Sequence, residues 1–191
     1  MKSTRLEAFS DGVLAIIITI MVLELEAPKE DTFDALLEMS PIFVSYLASF
    51  IYVSIYWNHH HRLFKISKKI NKKVLWANLH LLFWLSLIPF TTSWIGDGDN
   101  HRVGAPVILY GFVLLMCEVS FLLLRSFIVK YYGKKSTVGT HLNVNIKDAL
   151  YLFIYIVGIS LAIMNTYGGL ACFLLIGVLK VMELNYSTKN S

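Results

Sequence analysis

The chain has 191 residues, 56% of them hydrophobic and only 16% charged, with a mean hydropathy of +0.61. Long apolar runs separated by bunched charges exclude a soluble globular domain. They indicate an all-α polytopic membrane protein, one compact domain over residues 1–191. The net charge of +4 could suggest a nucleic-acid partner, but the bases collect in the loops between apolar runs. Membrane topology explains that pattern, and no nucleic acid is expected.

Lys2 and Arg5 precede the first apolar run as the basic start of a signal peptide would. Glu7 and Asp11 interrupt that run and no small-x-small cleavage site follows, so the first helix is expected to be retained. Six segments approach the ~20 apolar residues of a bilayer crossing, at approximately 6–25, 41–57, 74–95, 105–124, 149–164 and 168–182. The second opens at Ser40-Pro41, a cap followed by proline in the first turn, and Pro106 opens the fourth. Pro89 is expected to bend the far end of the third. The linker Asn165-Thr166-Tyr167-Gly168 is short enough to force the last two spans into a hairpin. It resembles a potassium-filter loop only faintly, lacking a pore helix and a run of carbonyls, and reads as a turn. Cys117 and Cys172 lie in apolar segments and read as buried small hydrophobes.

Alternating the six spans puts every lysine and arginine except Lys29 and Arg102 on one side. By the positive-inside rule both termini are then cytoplasmic, in what is expected to be a prokaryotic plasma membrane. The opposite side collects Glu24, Glu26, Glu30, Asp31, Asp34, Glu38, Asp97 and Asp99. These are either solvated loop residues or a mouth that concentrates cations.

Charged groups at membrane depth are costly and mark candidate functional positions. Ser10 and Asp11 stand inside the first helix with Arg5 nearly two turns earlier. Trp57, Asn58 and the run His59-His60-His61 close the second span, and Asn78 and His80 begin the third. A network of Arg5, Ser10 and Asp11 with Trp57, His60 and Asn78 would lock the helices by satisfying polar groups that lipid cannot. Three consecutive helical histidines fan out by about 100° each and cannot converge on one metal ion. No metal or cofactor is expected. Glu118, within the fourth span, is read as pairing with a base or a histidine, with a proton relay as the alternative. Serine-hydrolase, zinc-protease and phosphate-loop signatures are missing from the sequence, and no enzyme activity is expected.

After Asp11 the first helix turns wholly apolar. Gly12, Ile16, Thr19 and Leu23 recur at i, i+4, i+7 and i+11, a stripe that suits close approach of symmetry-related helices. Spacing alone leaves ordinary helix packing as the simpler account of this stripe.

Arg5-x-x-x-Phe9-Ser10-Asp11, followed by Gly12-Val13-x-Ala15-Ile16 and Thr19, resembles the signature of the transmembrane protein 175 family of lysosomal and prokaryotic potassium channels. Trp57-x-x-His60-x-x-Leu63-Phe64 and the stretch from Asn78 through Ser86-Leu87-Ile88-Pro89-Phe90 are similar to that family as well. The resemblance implies one six-span unit of the prokaryotic type, four copies of which surround a central pore lined by the first helices. It implies a potassium-permeable channel whose constriction is a ring of bulky apolar side chains instead of a carbonyl filter. By position, Ile16 would form the constriction, Thr19 a hydroxyl ring beside it and Leu23 a second apolar ring. Gly12 and Ile20 would also face the pore, while Arg5, Phe9, Ser10 and Asp11 anchor the helix. The partners so implied are a homotetramer, the lipid bilayer and permeant potassium. A coupled secondary transporter using Glu118, His60 and Asp11 as relay groups is the competing reading. A membrane scaffold or enzyme with a histidine metal site is the third.

Overall fold

The computed structural model describes residues 3–28, 30–96, 104–143 and 145–189. Lys2, Lys29, Asp97, Asp99 and Arg102, and the side chain of Lys189, lie outside the described residues. Six helical stretches are long and apolar enough to cross a membrane. In chain order the helices are α1 Ser3–Leu23, α2 Phe33–Glu38, α3 Ser40–Ile66, α4 Lys72–Ser86, α5 Ile88–Gly96, α6 Ala105–Tyr132, α7 Thr137–His141, α8 Ile146–Met164 and α9 Thr166–Lys189.

Local sequence explains most of the boundaries. Asn71 caps α4 by accepting from the Val74 N–H at 3.0 Å. Asn145 and Asp148 form a reciprocal capping box at the start of α8. Pro41 and Pro106 occupy the first turns of α3 and α6, where a missing N–H costs nothing. Gly133 ends α6 at φ 91°, a left-handed conformation that glycine adopts without strain.

Several elements differ from the sequence-based expectation. α6 runs on to Tyr132, past the expected 124, and Ser40, expected as a cap, is the first residue of α3, with Met39 at the cap position. α3 continues past 57 to Ile66, so the three histidines belong to its last turns. The third crossing is two helices, broken at Leu87. Pro89 has no N–H for the Leu85 carbonyl and its ring crowds that carbonyl, which turns the expected bend into a break. Hydroxyls stitch the start of α5, where Thr91 and Thr92 donate to the Ile88 carbonyl at 3.0 and 2.7 Å. The last hairpin turns on Asn165 alone, whose side chain accepts from the Tyr167 N–H at 3.0 Å and so opens α9.

α6 runs through the middle of the bundle, packed against α4, α5, α8 and α9. Leu114, Cys117 and Leu124 on α6 are fully buried with Tyr56, Leu81, Leu85 and Tyr155. Phe173 of α9 fits where Gly111 and Gly158 leave room, since a Cβ on either would collide with its ring. α1 packs against α3, α4 and α5. The Ser3 N–H meets the Lys68 carbonyl at 3.2 Å, and the Tyr132 hydroxyl both accepts from the Lys69 N–H and donates to the Lys69 carbonyl. The start of α1, the α3–α4 turn and the end of α6 therefore share one end of the bundle, the end rich in lysine and arginine.

Candidate functional site

α1 has two unlike faces. Leu6, Ser10, Leu14, Ile17 and Met21 are sealed into the subunit core. Gly12, Ile16, Thr19, Ile20 and Leu23 lie on the exposed side, with Ile16 60% and Leu23 74% exposed. A Cβ built on Gly12 would meet nothing within 4 Å. Thr19 donates its hydroxyl to the Ala15 carbonyl at 2.9 Å, which turns the lone pairs of its oxygen outward. Large apolar side chains on one continuous unpartnered face can meet lipid or a second protein surface.

The inner face is held by a polar cluster at the basic end. Asn78 is its hub: its amide donates to Ser10 Oγ at 2.9 Å, and its Oδ1 lies 2.7 Å from His60 Nε2. Because that oxygen only accepts, His60 carries its proton on Nε2. The Ser10 hydroxyl in turn donates a hydrogen bond to the Leu6 carbonyl at 2.9 Å. The three side chains are fully buried or nearly so, where each unmade bond would cost more than in water. Beside this cluster the Trp57 indole donates to Asp11 Oδ1 at 3.0 Å, closer to the subunit surface. Ser10, Asp11, Trp57, His60 and Asn78 are thus brought together across α1, α3 and α4. Arg5 is exposed and has no hydrogen-bond or ion-pair partner among the described residues. Phe9 is exposed on the same face.

The histidine run divides among three neighbours. His61 Nδ1 lies 2.9 Å from Glu7 of α1, His60 meets Asn78 of α4, and His59 packs edge-on against Phe121 of α6. Among the described residues no three His, Cys, Asp or Glu side chains gather so that they could hold a metal ion.

Glu118 belongs to a different cluster, on the far side of α3. Lys180 Nζ approaches its Oε2 at 2.6 Å, and the Tyr56 hydroxyl donates to the same oxygen at 3.1 Å. Lys180, one of the bases that the alternation of spans puts on the lysine-rich side, is almost wholly buried. Its position in an apolar helix is the same signal that marks Glu118. Sequence reasoning also passed over the Glu7–His61 pair and the Arg125–Asp148 pair at 2.7 Å. Both join residues distant in the chain at the basic end, where charge alone names no partner.

Six helices able to cross a membrane, with a polar lock at one end and an apolar exposed face on the first, define a polytopic α-helical membrane protein. The chain belongs to the TMEM175 family. The family model described as endosomal/lysosomal potassium channel TMEM175 matches residues 5–89. A protein of Chryseobacterium sp. (strain P1-3) named as a potassium channel is 44% identical over 179 residues, 94% of this chain and 92% of that one. The rat endosomal/lysosomal proton channel TMEM175 is 30% identical over 135 residues, 68% of this chain and 26% of the rat protein. The crystal structure of a lysosomal potassium-selective channel TMEM175 homolog from Chamaesiphon minutus has the same fold, with a TM-score of 0.82 at 22% identity. That match covers 95% of this chain and 97% of the other.

Proposed function

We propose that this chain is a potassium-permeable cation channel, one six-helix unit per chain, assembled as a homotetramer around α1. The observation that carries the reading is the exposed α1 face, where Gly12, Ile16, Thr19, Ile20 and Leu23 stand free while the opposite face is sealed in the core. A ring of four Ile16 side chains forms the constriction, Thr19 supplies a hydroxyl ring beside it and Leu23 a second apolar ring. Both termini lie in the cytoplasm of a prokaryotic cell. Support comes from the potassium-channel name of the bacterial relative at 44% identity.

The mechanism is hydrophobic gating. A narrow apolar ring expels water and blocks ions; when it widens, cations that shed water at lower cost pass first. Potassium gives up its hydration shell more readily than sodium, so discrimination needs no cage of carbonyls. Ser10 and Asp11, with Trp57, His60 and Asn78, hold the pore helix in register, while Arg5 and Phe9, exposed on α1, act at the contact between copies. The relay reading through Glu118, His60 and Asp11 is weakened because Glu118 sits with Lys180 and Tyr56, apart from the Asn78 cluster.

Purified protein in liposomes should pass potassium with no dependence on a proton gradient, and flux that requires the gradient would favour a carrier. Ile16→Asn should wet the constriction and move the bi-ionic reversal potential toward equal permeability for potassium and sodium. A reversal potential unchanged by that substitution removes Ile16 from the filter.

A further inference from the structure

Charge at the basic end is unevenly shared between two flanks of the bundle. On the flank of α8 and α9 the bases are matched, Arg125 by Asp148 at 2.7 Å and Lys147 by Glu183 at 3.4 Å. On the flank of α4 and the end of α6 they are not. Lys68, Lys69, Lys72, Lys73, Lys130 and Lys134 are all exposed, and among the described residues none of their side chains has a hydrogen-bond or ion-pair partner. Residues 39–96 and 119–147 contain no aspartate or glutamate. Tyr132 holds the two segments side by side, its hydroxyl bonded to the Lys69 N–H at 2.7 Å and to the Lys69 carbonyl at 3.0 Å. A positive-inside bias puts bases at one end of a bundle but does not require them to gather unmatched on one flank.

Helical periodicity sets the aromatic neighbours of these lysines. Lys73, Trp76 and His80 recur at i, i+3 and i+7 on one face of α4. His80 Nδ1 lies 2.8 Å from Ser120 Oγ of α6, whereas Asn78, on the opposite face, meets Ser10 of α1. The lysine and tryptophan therefore lie along the α4–α6 seam, away from the proposed ion path. Tyr131 follows Ser120 by about three turns toward the basic end, on the same face of α6. Trp76 is 70% and Tyr131 45% exposed. Bare aromatic rings one turn inside a spanning helix occupy the level where lipid headgroups meet acyl chains. α4 also begins here, and the positive end of its dipole adds to the field of the lysines.

We propose that this seam binds the headgroup of an anionic phospholipid from the leaflet at the basic end. Lys72 and Lys73 meet the headgroup charge, and the chains run along Trp76 and the exposed Phe83. Polybasic segments beside spanning helices attract anionic lipid. A lipid also covers Trp76 and Tyr131, which a soluble acidic partner would leave bare.

The test uses the full-length protein in phosphatidylcholine vesicles, with contact read from tryptophan fluorescence and not from ion conduction. Phosphatidylglycerol or phosphatidylcholine with brominated chains is added as a quencher, and the Trp76 share is the signal lost in Trp76→Phe. That share should be quenched more strongly by the phosphatidylglycerol probe. Lys73→Gln should lower this preference about fivefold, the size of one lysine's attraction to an anionic surface, and Lys73→Arg should keep it. Raising the salt to about 1 M, where charges are screened beyond about 3 Å, should remove most of it. Lys147→Gln, on the matched flank, should leave it unchanged. Thermal midpoints equal to that of the unsubstituted protein establish that the lysine variants fold. Equal quenching by the two probes overturns the proposal, as does a preference undiminished in the Lys72→Gln, Lys73→Gln double variant. A preference abolished by inorganic phosphate but not by sodium chloride of equal ionic strength overturns the lipid assignment and points to a soluble anion.

Discussion

Glu118 and Lys180 face each other in the interior of the bundle, Oε2 and Nζ 2.6 Å apart, with the Tyr56 hydroxyl on the same carboxylate oxygen. The Lys180 ammonium also stands over the Tyr151 ring, 4.8 Å from its centroid. Removing one partner leaves the other charge buried and uncompensated, a loss of about 3–5 kcal/mol, whereas replacing both with apolar groups is often near neutral. Lys180→Met should therefore lower the thermal midpoint in detergent strongly, and Lys180→Met with Glu118→Leu should recover most of it. A double variant as unstable as the sum of the two singles would contradict this account. At this scale the sequence was informative where a polar side chain had no alternative to a partner. Ser10, Asp11, Asn78 and His60 stand out in apolar runs for that reason, whereas Lys180 is counted among the bases of the lysine-rich side, which names no partner for it. Arg5 shows the converse: exposed at the helix start, it needs no partner within its own subunit.

Helices α8 and α9 meet at close range through small residues. A Cβ on Gly169 would sit 2.6 Å from Ala162 Cβ and 2.9 Å from the Gly158 carbonyl oxygen. Neither neighbour can yield without moving backbone, so Gly169→Ala should destabilise the subunit by about 1–3 kcal/mol. Gly12→Ala, with open space around it, should leave subunit stability unchanged; equal midpoints for the two variants would refute the packing argument. The six crossings were legible as elements because a bilayer demands a long apolar run whatever the tertiary contacts. Their ends were less so. α3 carries on through Asn58 and three histidines because backbone hydrogen bonding does not stop where hydropathy falls. α2 and α7 are too short to bury an apolar face and left no periodic trace. The break at Leu87 followed from Pro89, but a bend and a break look alike until the neighbouring helices are known.

For the whole molecule, the proposed tetramer would cover the α1 stripe that a single chain leaves exposed. The Asp11–Trp57 bond lies next to it, with Trp57 46% exposed, so it can couple the subunit core to an interface between copies. Asp11→Ala should reduce the tetramer in light scattering coupled to size exclusion, and an intact, fully conducting tetramer from that variant would contradict the anchoring role. Spacing alone could not separate pore from packing, because both ask for small and branched residues on one face. The motif resemblance is what favours the pore reading.

The distribution of polar bonds along α1 has a mechanical consequence. Its ends are pinned: Ser3 to Lys68, Glu7 to His61, Ser10 to Asn78 and Asp11 to Trp57 at one end, and Glu24 to the Ser93 hydroxyl at 2.8 Å at the other. Between them Leu14, Ile17 and Met21 rest on their neighbours through non-directional aliphatic contact, and the hydroxyl of Thr19 is spent on its own backbone. The helix is a beam clamped at both ends and greased along its middle. Bowing it by a small amount breaks no hydrogen bond to the rest of the subunit, so in the proposed pore Ile16 would move while both anchors stay in place.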